Sequence, residues 1–201
     1  MPWDNGKANP GWNATRCSPI AEDPDAVGEP CTAEESATSG VDSCEAGAMC
    51  WGVDDELNGY CNPLCGGSLE DLTCPDEYAC SVSSSSVVAV CLETCSPLGD
   101  DCDQPELACF AINNEFGCIV PGRGQPGDAC DFINDCDPQS ACIGAPSPSC
   151  ESDSCCAAWC DLDNGGSAAC MALDPATDCV PWFTEGEAPD GLENVGVCFG
   201  E

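Results

Sequence analysis

Twenty-three cysteines in 201 residues set the terms on which this chain can fold. Twenty of them fall into five groups of four. Cys31, Cys44, Cys50 and Cys61 are separated by 12, 5 and 10 residues, and Cys65, Cys74, Cys80 and Cys91 by 8, 5 and 10. Cys95, Cys102, Cys109 and Cys118 follow with gaps of 6, 6 and 8, then Cys130, Cys136, Cys142 and Cys156 with 5, 5 and 13. Cys160, Cys170, Cys179 and Cys198 close the series with 9, 8 and 18. A recurring unit of this size points to a short array of stacked repeats. Three residues separate units one and two, two and three, and four and five, but eleven separate units three and four. The spacing therefore predicts an N-terminal segment over 1–30, three tandem units over 31–118, a Pro- and Gly-rich linker over 119–129, and two tandem units over 130–198.

Local residues repeat with the cysteines. Gly28-Glu29-Pro30 precedes Cys31 and Gly127-Asp128-Ala129 precedes Cys130, the same acidic turn twice. Ala79, Ala108 and Ala141 each precede a third cysteine. Residues 80–91 place β-branched side chains on both sides of the polar tip Ser83–Ser86, the pattern of a two-stranded ribbon. The fold class expected is small and disulfide-rich, with units of a tight turn plus a short β-hairpin, little helix and no large hydrophobic core. Such hairpins are marginal alone and depend on their staples. Four cysteines allow three pairings within a unit. First-to-third with second-to-fourth would lock turn and hairpin together; neighbour pairing remains the open alternative. Cys150 and Cys155, in the long last loop of unit four, are expected to close an extra small ring, with Cys155 and Cys156 able to exchange roles.

Composition explains why the bridges matter. Leu, Ile, Val and Phe number only 31, and the formal charge is −34, values at which a chain without cross-links repels itself and stays unfolded. Disulfides persist in oxidising compartments, so a secreted, periplasmic or cell-surface setting is expected. A thiolate metal store would favour Cys-x-Cys or Cys-x-x-Cys ligands, and the chain has neither, nor any histidine. The only bases are Lys7, Arg16 and Arg123, which excludes a phosphate-binding surface for nucleic acid and disfavours an anionic membrane.

Cys17 is left over. Met1-Pro2-Trp3 with Gly6 parallels Val180-Pro181-Trp182 with Gly186, a segment that follows Cys179 and is later closed by Cys198. By analogy, Cys17 is expected to close a unit whose earlier cysteines lie before Met1, and to have no partner within the chain.

The Gly28-Glu29-Pro30-Cys31 turn, the Cys61-x3-Cys65 spacing, Gly127-Asp128-Ala129-Cys130 and Cys179-Val180-Pro181-Trp182 together resemble the uncharacterised cysteine-rich secreted proteins of myxobacteria. The resemblance implies export and a bacterial envelope or extracellular setting, and no activity. A ribulose-phosphate epimerase label sometimes attached to such proteins implies a (β/α)8 barrel with metal-binding histidines. A chain with no histidine and no long aliphatic strands does not meet it.

The residues offer little for catalysis. Without histidine a Ser-His-Asp or Cys-His site cannot be built. Lys7 reads as a surface charge. Carboxylate pairs such as Asp54 with Glu56 and Asp100 with Asp101 are unavoidable among 37 acids and do not single out a hydrolase. Calcium is the one ion with a physical argument, since oxygen-rich loops suit it. Asp161, Asp163 and Asn164 before Gly165 resemble the start of a calcium loop, though the glycine comes one place early and Ala172 stands where a glutamate should; Asp54, Asp55, Glu56 and Asn58 form a weaker cluster. Asn13-Ala14-Thr15 matches a glycosylation acceptor. Trp3, Trp12, Trp51, Trp159 and Trp182 are read first as covers for disulfides, with Trp51 and Trp182-Phe183 as contact spots for an assembly or a carbohydrate. The expected role is structural or interactive, with a protein or carbohydrate partner or self-assembly, and no cofactor. A calcium-dependent adhesion protein, an inhibitor of a secreted enzyme and a two-carboxylate hydrolase are the rivals.

Overall fold

A backbone turn begins five residues before the third cysteine of every unit. The N–H groups of Ala48, Tyr78, Leu107, Ser140 and Thr177 donate to the carbonyls of Glu45, Pro75, Gln104, Asp137 and Asp174 at 3.0 to 3.2 Å. Pro105, Pro138 and Pro175 stand second in their turns, where the fixed φ of the ring is already suitable. Gly47 stands third in the first turn at φ 92°, a conformation that favours glycine.

Each turn feeds an antiparallel hairpin. The computed structural model describes residues 1–6, 11–68, 71–82, 87–99, 102–113 and 115–200. They form two units, Met1–Glu93 and Thr94–Glu201. In the first, β1 (Pro2–Trp3) pairs with β2 (Ala14–Thr15), and β3 (Pro30–Thr32), β4 (Ala48–Trp51) and β5 (Asn58–Pro63) form a sheet in the order β3-β5-β4. There β6 (Gly66–Ser68) pairs with β7 (Asp71–Thr73), and β8 (Tyr78–Val82) with β9 (Ala89–Glu93). The tip Ser83–Ser86 of this last hairpin lies outside the described residues. In the second unit, β10 (Ala108–Ile112) pairs with β11 (Glu115–Ile119). β12 (Ser140–Gly144), β13 (Ser154–Asp161), β14 (Asp178–Pro181) and β15 (Val195–Phe199) form a sheet in the order β12-β13-β15-β14, beside the helix α1 (Gly166–Leu173).

The register sets the third and fourth cysteines of each unit opposite one another: Cys50 and Cys61, Cys80 and Cys91, Cys109 and Cys118, Cys142 and Cys156, Cys179 and Cys198. They do not bond to each other. The third bonds the first, as Cys31–Cys50, Cys65–Cys80, Cys95–Cys109, Cys130–Cys142 and Cys160–Cys179. The fourth bonds the second, as Cys44–Cys61, Cys74–Cys91, Cys102–Cys118, Cys136–Cys156 and Cys170–Cys198. Two neighbouring bridges thus tie each hairpin to the segment that leads into it. Cys150–Cys155 closes a small ring, and Cys17 is exposed and unbonded.

The three-residue spacers are strand, not slack. The last residue of each pairs with the residue just before the next fourth cysteine: Leu64 with Val90, Thr94 with Gly117, and Trp159 with Val197.

The eleven-residue connector departs from the expectation of a linker over 119–129. Gly124 bridges Cys136 as Asp25 bridges Cys44. Gly127 donates its N–H to the Cys156 carbonyl at 2.8 Å, and Cys156 donates back to Asp128 at 2.8 Å. Gly28, Cys61 and Glu29 make the same pair of bonds at 2.8 and 3.0 Å. The Asp128 and Glu29 carboxylates close their turns by accepting from the N–H of Gln125 and Ala26. The connector is the leading edge of unit four, so backbone bonds take up the length that spacing alone reads as slack. The compact units Met1–Glu93 and Thr94–Glu201 hold two and three of the repeats.

Sulfur dominates the interior. Among the described residues, fourteen of the twenty-nine buried hydrophobic side chains are cysteines, so bridges take the place of aliphatic packing. The second unit adds an apolar cluster of Phe116, Ala141, Ala157, Trp159, Val195 and Val197, with Trp182, Phe183 and Leu192 packed on it. The helix α1 has only eight residues, too short to persist alone, and is held through the buried Cys170 by its bridge to Cys198.

The β1–β2 hairpin has the register of β14–β15. Pro2 pairs with Thr15, two residues before Cys17, and Pro181 pairs with Gly196, two residues before Cys198. The sequence analogy between the two segments therefore extends to their backbone pairing.

Candidate functional site

Three kinds of chemistry-bearing group were singled out by sequence, and the fold treats each differently. Sulfurs converge most. In every unit three cysteine sulfurs lie within 4.8 Å of one another, for example those of Cys31, Cys44 and Cys61. Crossed bridges on a hairpin bring them together. In this oxidised form they are disulfide sulfurs, without the thiolate lone pairs that a metal takes.

The acidic clusters are turn-forming. Asp161 accepts from the Asp163 N–H at 2.9 Å and from the Asn164 side-chain amide at 2.6 Å. Those bonds, the Asn164 amide foremost, hold its carboxyl below the ordinary value of 3.8. Asp163 and Asn164 are exposed. Asp54 accepts from the N–H of Glu56 and of Asn58, both at 2.9 Å, while Asp55 and Glu56 face solvent. Asp4 likewise gathers the N–H groups of Gly6 and Gly11 and the amide of Asn13, so the nitrogen of the glycosylation motif is already a donor. Asp131, Asp135, Glu151 and Asp153 line a cleft of about 610 Å³ in which Asp135 accepts from the N–H of Asp131 and Phe132. Lys7, Asp100 and Asp101 lie outside the described residues.

The tryptophans separate by region. Trp12 stacks on Trp51 with centroids 5.3 Å apart, and the Arg16 guanidinium lies 4.9 Å from the Trp3 ring. Trp182 and Phe183, read from sequence as contact spots, pack against Phe116 at 6.2 and 6.0 Å and belong to the interior cluster. Trp159 meets Phe116 edge-on at 5.3 Å and Trp182 at 4.9 Å.

Beside Trp159 the turns of units three and four open a groove of about 680 Å³. Gln104 and Leu107 come from one turn, Pro138 and Gln139 from the other, and Pro97 and Leu98 from the segment after Cys95. Trp159 is set against it by its backbone N–H, which donates to the Gln139 carbonyl at 2.9 Å. Its indole N–H is buried without an acceptor. Sequence reading missed this groove, because its walls come from turns more than thirty residues apart. No local signal marks it, since the same two turns also carry Glu106 and Asp137, which do not line the groove.

No family model matches the chain, and neither a curated protein sequence nor a solved structure matches it.

Proposed function

We propose that the protein is a non-enzymatic structural or binding module that works in an oxidising space outside the cytoplasm, secreted, periplasmic or on a cell surface. The observation that carries this reading is the repeated crossed pair of bridges, whose sulfurs fill positions that aliphatic side chains occupy in other folds. A chain of charge −34 with so few large apolar residues depends on those bridges, and they last only where reductants are scarce. No described helix is long and apolar enough to cross a membrane. The bacterial envelope setting implied by the resemblance to exported myxobacterial proteins is part of this proposal.

Fractionation of the native source with thiol-specific alkylation tests it. The protein should appear in the exported or envelope fraction with the twenty-two cysteines bridged within residues 31–198 closed to alkylation. A cytoplasmic protein with open thiols, or one carrying stoichiometric zinc on them, would replace this reading with that of a thiolate metal protein.

A further inference from the structure

We infer that the groove beside Trp159 binds an uncharged saccharide. This names a ligand for the binding role just proposed and rests on that reading. Every described residue lining the groove is uncharged, in a chain with 37 acids and 3 bases. Charge complementarity follows from that contrast. An anion meets the negative field of the whole protein, and a cation finds no carboxylate among the described lining residues. A neutral ligand avoids both.

The polar groups narrow the class. The side-chain amides of Gln104 and Gln139 bond to no other described residue. A side-chain amide both donates and accepts, which neighbouring sugar hydroxyls can do in return. An acyl chain would leave these groups unmet, at the cost of desolvating them. Pro97, Leu98, Leu107 and the Trp159 edge supply the carbon surface against which the C–H face of a pyranose packs. The volume, about 680 Å³, falls in the usual range for small-ligand sites, roughly 300–1,000 Å³.

The test uses the oxidised full chain, labelled with nitrogen-15 and titrated with maltose, cellobiose and N,N′-diacetylchitobiose. Glucuronic acid, glucosamine and a neutral oligoproline peptide are the controls. At least one neutral disaccharide should shift the Trp159 indole and the Gln104 and Gln139 amide resonances saturably, and more strongly than the charged sugars. The double variant Gln104→Ala, Gln139→Ala should bind about tenfold more weakly, the loss expected for bonds of this kind. Gln139 is exposed and Gln104 half-buried, so this variant keeps the fold, which the dispersion of the remaining resonances verifies. Three results overturn the inference: no shift with any neutral saccharide, equal binding by the double variant, or saturable shifts with the peptide alone. Location and thiol state judge the exported role separately, so either reading can fail without the other.

Discussion

Residues 1–93 and 94–201 use the same four-cysteine unit in two ways. In the first region no described aromatic side chain is fully buried, and the largest fully buried residues are Leu92, Val88 and Val90. Among the described residues, its sulfur cluster of Cys31, Cys44, Cys50 and Cys61 has Ala48 and Val53 for apolar company. In the second, Phe116 from unit three meets Trp159 from the unit-four strand and Trp182 from unit five, so one apolar cluster spans three cystine units. The unit is thus a scaffold indifferent to what packs beside it. Whether neighbours merge depends on a few large side chains placed just outside the cysteine frame.

The largest effect should come from reduction. Each bridge typically contributes ~2–4 kcal/mol, and the loss of all of them exceeds the ~5–15 kcal/mol net stability of a domain. Circular dichroism in excess reductant should show no cooperative thermal transition in either region. A transition surviving in the second region alone, reported by its tryptophans, would mean that the aromatic cluster folds without staples and would widen the contrast.

Next in size is Phe116→Ala, which empties the centre of that cluster and should cost about 3–5 kcal/mol. Hydrogen exchange should show the loss in residues 94–201 and leave protection in residues 1–93 unchanged. Equal loss in both would break the division after Glu93.

Smaller still, and the same in both regions, is the effect of a methyl group two residues before a fourth cysteine. A Cβ on Gly196 would stand 2.7 Å from the Cys179 sulfur and 2.8 Å from the Val180 carbonyl oxygen. One on Gly59 would press on the Trp51 carbonyl and stand 3.2 Å from the Cys50 sulfur. Gly196→Ala and Gly59→Ala should each destabilise their own region by about 1–3 kcal/mol in denaturant unfolding. If only one does, the two hairpins are not equivalent.

The smallest effect is that of acid. Asp4 in the first region is held below 3.8 chiefly by the N–H of Gly6, and Asp174 in the second chiefly by the Ser149 hydroxyl. A carboxyl whose pKa is lower folded than unfolded adds stability above its unfolded value, and that stability disappears as pH falls through the folded value. Carbon-detected titration should place both below 3.8, with the Gly6 and Gly11 amides and those of residues 174–177 shifting together as each carboxyl protonates. A midpoint at or above 3.8 would remove these turns from the account.

Much of this was legible because cysteines do not change role with context. The five groups, the turn before each hairpin and the doubled acidic turn follow from spacing and from residues such as Gly28, Glu29, Gly127 and Asp128. The boundary was not legible in the same way. A run containing Pro121, Gly122, Gly124, Pro126 and Gly127 reads as flexible, and only the bonds from Gly124 and Gly127 to Cys136 and Cys156 reveal that it is tied to unit four. The helix α1 was hidden by its length, since an Ala-rich stretch of eight residues is stable only once Cys170 is anchored. The groove was hidden because proximity of Gln104, Gln139 and Trp159 is a property of packing, not of any motif.

The central claim is that every unit is closed by crossed bridges, and peptide mapping without reduction tests it most directly. Cleavage after acidic residues, which lie between many of the cysteines, followed by tandem mass spectrometry should recover first-to-third and second-to-fourth pairs throughout. Cys31–Cys50 with Cys44–Cys61 and Cys160–Cys179 with Cys170–Cys198 would be the outermost of these, alongside Cys150–Cys155 and an unbridged Cys17. Recovery of neighbour pairs, such as Cys31 with Cys44 and Cys50 with Cys61, would contradict the account.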